Sequence, residues 1–389
     1  MRLPTEAELS REQREVCSAP SQGTALVIGP PGSGKTVVAV YRKRMLERMG
    51  EPVTSVAWNN VLARYGDLDK TFERWLYSWW KKATGMQFPT ALQKNRHIPD
   101  YKYALKEALG RKRSDISHNG NWGHLILDEA QDFSQPAHKL LSIAHKICED
   151  VAENPPSMLI LADENQRITD SNATFNAIRE AHSLFNDEVY CLTKNYRNTR
   201  EIASVAKEFF IGTVSGMPEL PDRRGDKPKL LTSCPIDDAV KKIANHARNH
   251  EDHEIGVMVY YDATRKKFFN KLKHRLAKTD IYVQSYFADP RQGGGPQLAQ
   301  RLRFDRGGTI TVLCYASAKG VEFDSVFLPE LQQMRASGED GDVNKMQLYV
   351  MASRARTHLT LMMDDAFRAS SIWKLLPGDN QLNKLFNVN

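Results

Sequence analysis

The stretch Gly29-Pro30-Pro31-Gly32-Ser33-Gly34-Lys35-Thr36 follows the apolar run TALVIG and precedes a helix-like segment from Val37 to Met49. It fits the pattern GxxxxGK[ST], and its position between a strand and a helix matters as much as its letters. In that setting Gly29, Gly32 and Gly34 let backbone N–H groups close around phosphate oxygens at a helix amino terminus. Lys35 then reaches the β and γ phosphates and Thr36 ligates Mg2+. The expected ligand is a nucleoside triphosphate, taken as ATP with Mg2+.

Working outward, other short apolar runs with polar boundaries are TSVAW ending at Trp58, HLILD ending at Asp128 and SMLILAD ending at Asp163. Runs of Val, Ile and Leu alternating with helix-like segments read as buried parallel strands of a βαβ series. A second series comprises EVYCL near Val189, EIGVMVYY through Tyr261, TITVLCY through Tyr315, SVFLPE near Phe327 and HLTLMM near Leu361. The expected fold class is therefore α/β, with two parallel-sheet lobes spanning residues 1–190 and 191–389. A helical insertion at about 62–122 interrupts the first lobe, and the second has no large accessory insertion.

Composition sets the outer bounds. The 389 residues suffice for two or three cores, and 41% hydrophobic with 26% charged residues is ordinary for a folded globular chain. A net charge of +7 favours polyanionic partners. The five cysteines, Cys17, Cys148, Cys191, Cys234 and Cys314, form no CxxC pair, which argues against a disulfide framework or a cysteine zinc site. No apolar signal core opens the chain and no run approaches ~20 apolar residues, so a membrane partner is not expected and a cytoplasmic location is.

Phosphoryl transfer needs a metal clamp and a positioned water. HLILDEAQDF supplies two adjacent carboxylates at a strand end, Asp128 for magnesium and Glu129 to deprotonate the water. For Asp132 a helix-terminal charge and a catalytic role are equally good readings. In LADENQRI, Gln166 is placed to report on the γ-phosphate. LTKNYRNT offers Tyr196 for stacking a base and Arg197 for neutralising charge across a cleft. Arg354, in LYVMASRARTHLTL, is a second candidate arginine finger.

Phe72, Trp75, Leu76 and Trp79 share one helical face, which suits a core better than a base-stacking platform. The basic run from Arg265 to Lys278 reads first as a solvated helix face, with phosphate contact as the alternative. Arg111-Lys112-Arg113 beside Trp122, and Trp79-Trp80-Lys81-Lys82, combine charge with aromatic planes as single-strand binding surfaces do.

Taken in order, these motifs resemble those of the superfamily 1 helicases of the UvrD/Rep group over roughly Leu9 to Met363. LSREQREV resembles that family's adenine-reading motif, with Gln13 matching its glutamine. VAWNNVLARY lies where its first strand-contacting motif belongs, and DEAQD, ENQ, NYRNT, AKGVEFD and SRA match later motifs. The resemblance implies two RecA-like lobes with ATP between them. It places Tyr196 on adenine, Glu322 on the ribose, and Arg197 with Arg354 at the γ-phosphate. A strand crossing both lobes would meet Asn59, Asn60, Arg64, Ser317 and Lys319. The implied activity is an ATP-dependent helicase or translocase on single-stranded or tailed DNA moving 3′ to 5′, with RNA left open.

Some stretches depart from the family pattern. Ile168-Thr169-Asp170-Ser171-Asn172-Ala173-Thr174 replaces a segment with a base-stacking aromatic, Tyr315-Ala316-Ser317-Ala318-Lys319-Gly320 lacks a histidine, and Val37 follows Thr36 where the family often has arginine. With the second lobe also lacking its large insertion, the chain is similar to the helicase-like subunit of Gabija-type antiphage systems. That likeness implies a DNA-stimulated ATPase switch controlling a partner nuclease.

Overall fold

The computed structural model describes residues 3–93, 96–110, 119–150, 153–163, 173–211, 219–289, 294–304, 306–334, 341–365 and 367–388. Among these, the first half carries β1 (Gly23–Ile28), β2 (Val53–Ala57), β3 (Lys70–Thr71), β4 (Thr90–Gln93), β5 (Arg96–Pro99), β6 (His124–Leu127), β7 (Ser157–Ala162) and β8 (Val189–Cys191). Six of them form one sheet in the order β3-β2-β6-β7-β1-β8, and every pairing is parallel. Every residue of β6 and β7 is buried. Helices on both faces exclude water from such a sheet, which is why these strands are continuous apolar runs rather than alternating ones.

The second half carries β9 (Lys229–Leu231), β10 (Glu254–Val259), β11 (Tyr282–Ser285), β12 (Thr309–Cys314), β13 (Phe323–Leu328), β14 (Ala355–Met362) and β15 (Asn387–Val388). They form a second parallel sheet in the order β11-β12-β10-β13-β14-β9-β15. Two parallel sheets flanked by helices give the α/β architecture of a two-lobe RecA-like protein. Only residues 286–308 connect β11 to β12. No helix among the described residues is long and apolar enough to cross a membrane.

Two features differ from the sequence reading. EVYCL belongs to the first sheet, because β8 pairs with β1 in the register Leu26↔Val189. The insertion is not purely helical, since β4 and β5 form an antiparallel hairpin between the helices Phe72–Thr84 and Tyr101–Gly110. Thr90, Leu92 and Gln93 are exposed, so this hairpin has no apolar face to announce it in the sequence.

The aromatic face of the helix Phe72–Thr84 is core. Phe72 stacks on Phe133 with ring centroids 4.1 Å apart, Trp75 stacks on Trp79 at 5.8 Å, and Trp80 is 0% exposed. Two of the indoles are hydrogen-bonded inside the lobe: Trp79 Nε1 donates to Gly120 O at 2.7 Å and Trp122 Nε1 to Ser157 O at 3.1 Å. These rings therefore offer no stacking platform to a base, and Arg111-Lys112-Arg113 lie outside the described residues. The basic run is likewise anchored at its start. Arg265 is buried, donates to Asp262 and Ser285, and lies over the Phe287 ring at 4.7 Å.

One apolar cluster spans both lobes. The helix Asn60–Tyr65, which follows β2, buries Val61, Leu62 and Tyr65 together with Leu313, Tyr315, Ala318 and Val321 of the second lobe. Gly320 is in the left-handed region at φ 83°, and a Cβ there would meet the Leu62 side chain at 2.6 Å, so this seam needs a glycine. The loop after β12 is thereby clamped to the first lobe.

Candidate nucleotide site and strand-facing loops

The phosphate-binding loop leaves the carboxyl end of β1, the usual ligand side of a parallel sheet, and enters the helix Lys35–Arg48 through Gly34 at φ 89°. A Cβ at Gly34 would meet Gln13 Nε2 at 2.3 Å, and one at Gly32 would meet Asn195 Oδ1 at 2.4 Å. The backbone is thus hemmed in from both flanks, and the buried Ser33 Oγ has no hydrogen-bond partner. Lys35 Nζ donates to Gly29 O at 2.7 Å and Pro30 O at 3.1 Å and pairs with Asp163 at 3.3 Å. These partners hold the ammonium inside the loop's curl.

Thr36 Oγ1 donates to Asp128 Oδ2 at 2.7 Å. A hydroxyl and a carboxylate oxygen side by side suit a hard divalent cation, and with the glycine loop and the unpartnered Ser33 hydroxyl they fit a Mg2+–nucleotide complex. Glu129 takes the left-handed conformation at φ 54°, uncommon for a residue with a side chain and concentrated at functional sites. Gln131 Nε2 donates to Glu129 Oε2, and Gln131 Oε1 accepts from the Asp163 backbone N–H at 2.9 Å. One glutamine thus joins the ends of β6 and β7.

The two carboxyls are driven apart. Burial, reinforced by the Glu129 charge, pushes the Asp128 carboxyl up. Burial also pushes Glu129 up, but Lys319, Lys35 and Arg354 outweigh it and hold that carboxyl below the usual range. Glu129 is therefore the carboxylate kept ionised. Two of those three cations come from the second half of the chain.

Gln13 caps its own helix with Ser10 and donates from Nε2 to Ser33 O at 2.9 Å. Tyr196 is 47% exposed, and its backbone N–H donates to Gly32 O at 2.9 Å. The Thr193 N–H and hydroxyl donate to the Glu12 carboxylate at 2.9 and 2.7 Å, fastening the Gln13 helix to the segment that carries Tyr196. Both candidate adenine-side residues thus touch adjacent residues of one loop.

Arg197 pairs with Glu322 and donates from Nη1 to Ser353 O at 3.2 Å. Arg354 is 1% exposed, and its Nε donates to Val350 O at 3.0 Å. Burial and the neighbouring Arg197 push its guanidinium down to about 10, against the opposing charges of Glu129, Glu322 and Asp163. The second lobe thus sets Arg354 in the field of the carboxylates at the ends of β6 and β7. Glu322 is gripped by two guanidiniums: burial raises its carboxyl, but Arg197 and Arg356 hold it down at about 2.

Arg356, Asn195 and Asn198 were not singled out by the sequence. Arg356 Nη2 donates to Tyr65 Oη at 2.9 Å across the lobes. Asn195 Oδ1 accepts from the backbone N–H groups of Arg197 and Asn198, and Asn198 Nδ2 donates to Ser353 O and Ala355 O. Asn198, together with Arg197, fastens that motif to the segment carrying Arg354, while Asn195 braces the loop from within. The only signal in the sequence was the symmetry of the two asparagines around Tyr196-Arg197.

The strand candidates separate. Arg64 is exposed, while Asn60 and Ser317 are half-buried. Asn59 caps its helix by accepting from Leu62 N at 2.8 Å. Lys319 is 2% exposed and forms a salt bridge with Asp132, so it joins the lobes here instead of presenting its charge to a strand. Gln166 lies outside the described residues.

A family model described as Schlafen group 3, DNA/RNA helicase domain, matches residues 22–327. The chain belongs to that family. The match runs from the start of β1 into β13, so it takes in the phosphate loop, the β6 carboxylates and the NYRNT segment. A protein of Acanthamoeba polyphaga mimivirus, provisionally named an ATP-dependent DNA helicase, is 23% identical over 262 residues, which is 64% of this chain and 36% of that protein. The chain therefore spans about a third of the length of that curated relative. Among solved structures, Bacteroides Pif1 bound to ssDNA aligns over 97% of this chain and 96% of its own at a TM-score of 0.45 and 14% identity. The C-terminal domain of a "possible DNA helicase" from Lactobacillus plantarum WCFS1 aligns over 50% of this chain and 98% of its own at 0.34 and 18%.

A prediction follows for this helicase domain from the Glu322 knot. Replacing Glu322 by Gln leaves two half-buried guanidiniums undercompensated, although Arg356 keeps Asp324, and is expected to lower stability at pH 7 by about 1–3 kcal/mol, read by urea unfolding. Because the folded carboxyl lies below its unfolded value of 4.5, the wild-type advantage is full above pH 4.5 and fades as pH falls toward 2. An advantage that persisted unchanged under acid would contradict the ion-pair origin.

Proposed function

We propose that this chain is an ATP-dependent motor on single-stranded or tailed DNA, closing two lobes on ATP and reopening them after hydrolysis. The observation that supports it best is the burial of Arg354, from the second lobe, against Glu129 and Asp163 of the first. A mere nucleotide binder has no need of a cation delivered by another lobe to the side where γ-phosphate charge develops.

In this reading Lys35 exchanges its loop carbonyls for phosphate oxygens, and Gly29, Gly32 and Gly34 leave room for the phosphates to approach the backbone. Thr36 and Asp128 would hold Mg2+. The ion, when bound, offsets phosphate charge. Glu129 takes the proton of the attacking water, and Arg197 with Arg354 neutralises charge in the transition state. Gln166 would sense the γ-phosphate. Gln13 and Tyr196 would hold adenine, with Glu322 toward the ribose once an incoming nucleotide competes for its arginines. Asn59, Asn60, Arg64 and Ser317 would follow the strand, with Lys319 behind them relaying closure through Asp132.

Motion 3′ to 5′ is the direction implied by the UvrD/Rep likeness, which rests on the motifs alone. The test is displacement of an annealed oligonucleotide from duplexes with a 3′ tail, a 5′ tail or no tail, with ATP. Release from the 3′-tailed duplex is expected. Release from the 5′-tailed duplex alone would reverse the direction, and no release from any would remove the motor. An RNA-tailed set addresses the family description, which covers both polymers.

A second reading, a DNA-stimulated ATPase switch controlling a partner nuclease as in Gabija-type systems, is favoured by the connection 286–308, which is too short to hold an accessory domain at that point. It expects strand-stimulated hydrolysis without displacement and a stable complex with a second protein.

A further inference from the structure

Four histidines gather where the helix Ile236–Asn249 ends against the second sheet. His246 and His250 stand one turn apart, His253 lies in the loop entering β10, and His358 is in β14. All four are half-buried. Their rings lie between 4.0 and 6.0 Å apart, centroid to centroid. One ring nitrogen each from His246, His253 and His358 fall within 4.8 Å of one another.

From this convergence we infer that His246, His253 and His358 form a binding site for a divalent transition ion of the zinc class. Imidazole nitrogen is a preferred ligand of Zn2+, Co2+ and Ni2+, and three such nitrogens with an open fourth position make a usual coordination set. Zn–N bonds of ~2.0–2.1 Å place tetrahedral ligands about 3.3 Å apart, so the ion draws the present group inward by rotation of the rings. The surroundings suit that role. Ser325 Oγ, fully buried on β13, shares hydrogen bonds with His246 Nε2 at 2.8 Å and His253 Nδ1 at 2.9 Å and so fixes the orientation of both rings. His250 Nδ1 is held by the carbonyl of His246 at 3.0 Å and packs its ring on His246. The buried His358 Nδ1 has no hydrogen-bond partner. Three elements that only tertiary folding brings together contribute the ligands, so bound metal ties the helix, the β10 loop and β14 into one unit. His358 lies two residues beyond Arg356, whose guanidinium holds Glu322 and Asp324. The site therefore braces the strand that presents the arginines, while its nitrogen donors set it apart from the oxygen-lined Thr36–Asp128 pair.

The test uses the full chain, stripped with chelator and free of nucleotide, titrated with Co2+ and then Zn2+. About one Co2+ per chain is expected, with visible d–d absorption bleached by Zn2+ and a rise in melting temperature on Zn2+ addition. His358→Asn and His253→Gln should each abolish the absorption while retaining a cooperative melt. Thr36→Ala, which alters the phosphate-loop oxygen site, should leave it intact. Wild-type protein that gives neither absorption nor a melting shift overturns the site, as does full absorption in both histidine variants. If one histidine variant does not fold, the other decides.

Discussion

Replacing Glu129 by Gln is expected to lower ATP turnover by about 10²–10⁴-fold while ATP binding is kept, the loss that follows removal of a general base. The charge is what matters at this position. The amide matches the carboxylate in size and can still meet Gln131, but it cannot take a proton from water. Lys319, Lys35 and Arg354 hold Glu129 ionised despite its burial, whereas its neighbour Asp128 is pushed the other way. The opposite ionisation tendencies of these adjacent carboxylates thus follow from which charges each one faces. Single-turnover hydrolysis alongside equilibrium binding of a fluorescent ATP analogue separates the two effects. Turnover close to wild type would remove Glu129 from the chemistry, and lost binding would make its role one of nucleotide retention.

Arg354→Ala is expected to reduce hydrolysis by about 10³-fold or more, the range for loss of an arginine finger. Arg197→Ala should do so too, but Arg197 also grips Glu322 and Ser353 O, so its loss loosens the junction between the lobes as well. Arg354 is the cleaner probe. Lysine should rescue it poorly, because an ammonium cannot reproduce a planar fork whose Nε donates to Val350 O. The check is a comparison of kcat and KM for Arg354→Ala and Arg354→Lys at matched folded fraction. A rise in KM with kcat unchanged would mean that the guanidinium binds nucleotide without acting on the transition state.

Much of this architecture was legible because parallel strands buried on both faces leave unbroken apolar runs, and because the phosphate loop needs glycines at fixed places. Asp128 and Glu129 could be placed since a strand delivers its last residues to the same edge as the phosphate loop. What stayed hidden depends on contacts between distant segments. Nothing local shows that Lys319 turns inward to Asp132, that Arg356 reaches Tyr65, or that Asn198 ties its loop to the carbonyls of Ser353 and Ala355. The sheet that Val189–Cys191 joins is hidden for a similar reason: three apolar-edged residues fit either lobe, and only the register with β1 decides. The hairpin β4–β5 was missed because exposed strands carry no burial pattern.

Steady-state ATP hydrolysis by wild-type protein and Arg354→Ala, with and without single-stranded DNA at low and high salt, tests most directly whether both lobes complete one nucleotide site under control of a strand. The expected result is wild-type hydrolysis that rises several-fold with DNA, less so at high salt, and a variant that stays near background in every condition. Strand-independent hydrolysis that survives removal of Arg354 would contradict it.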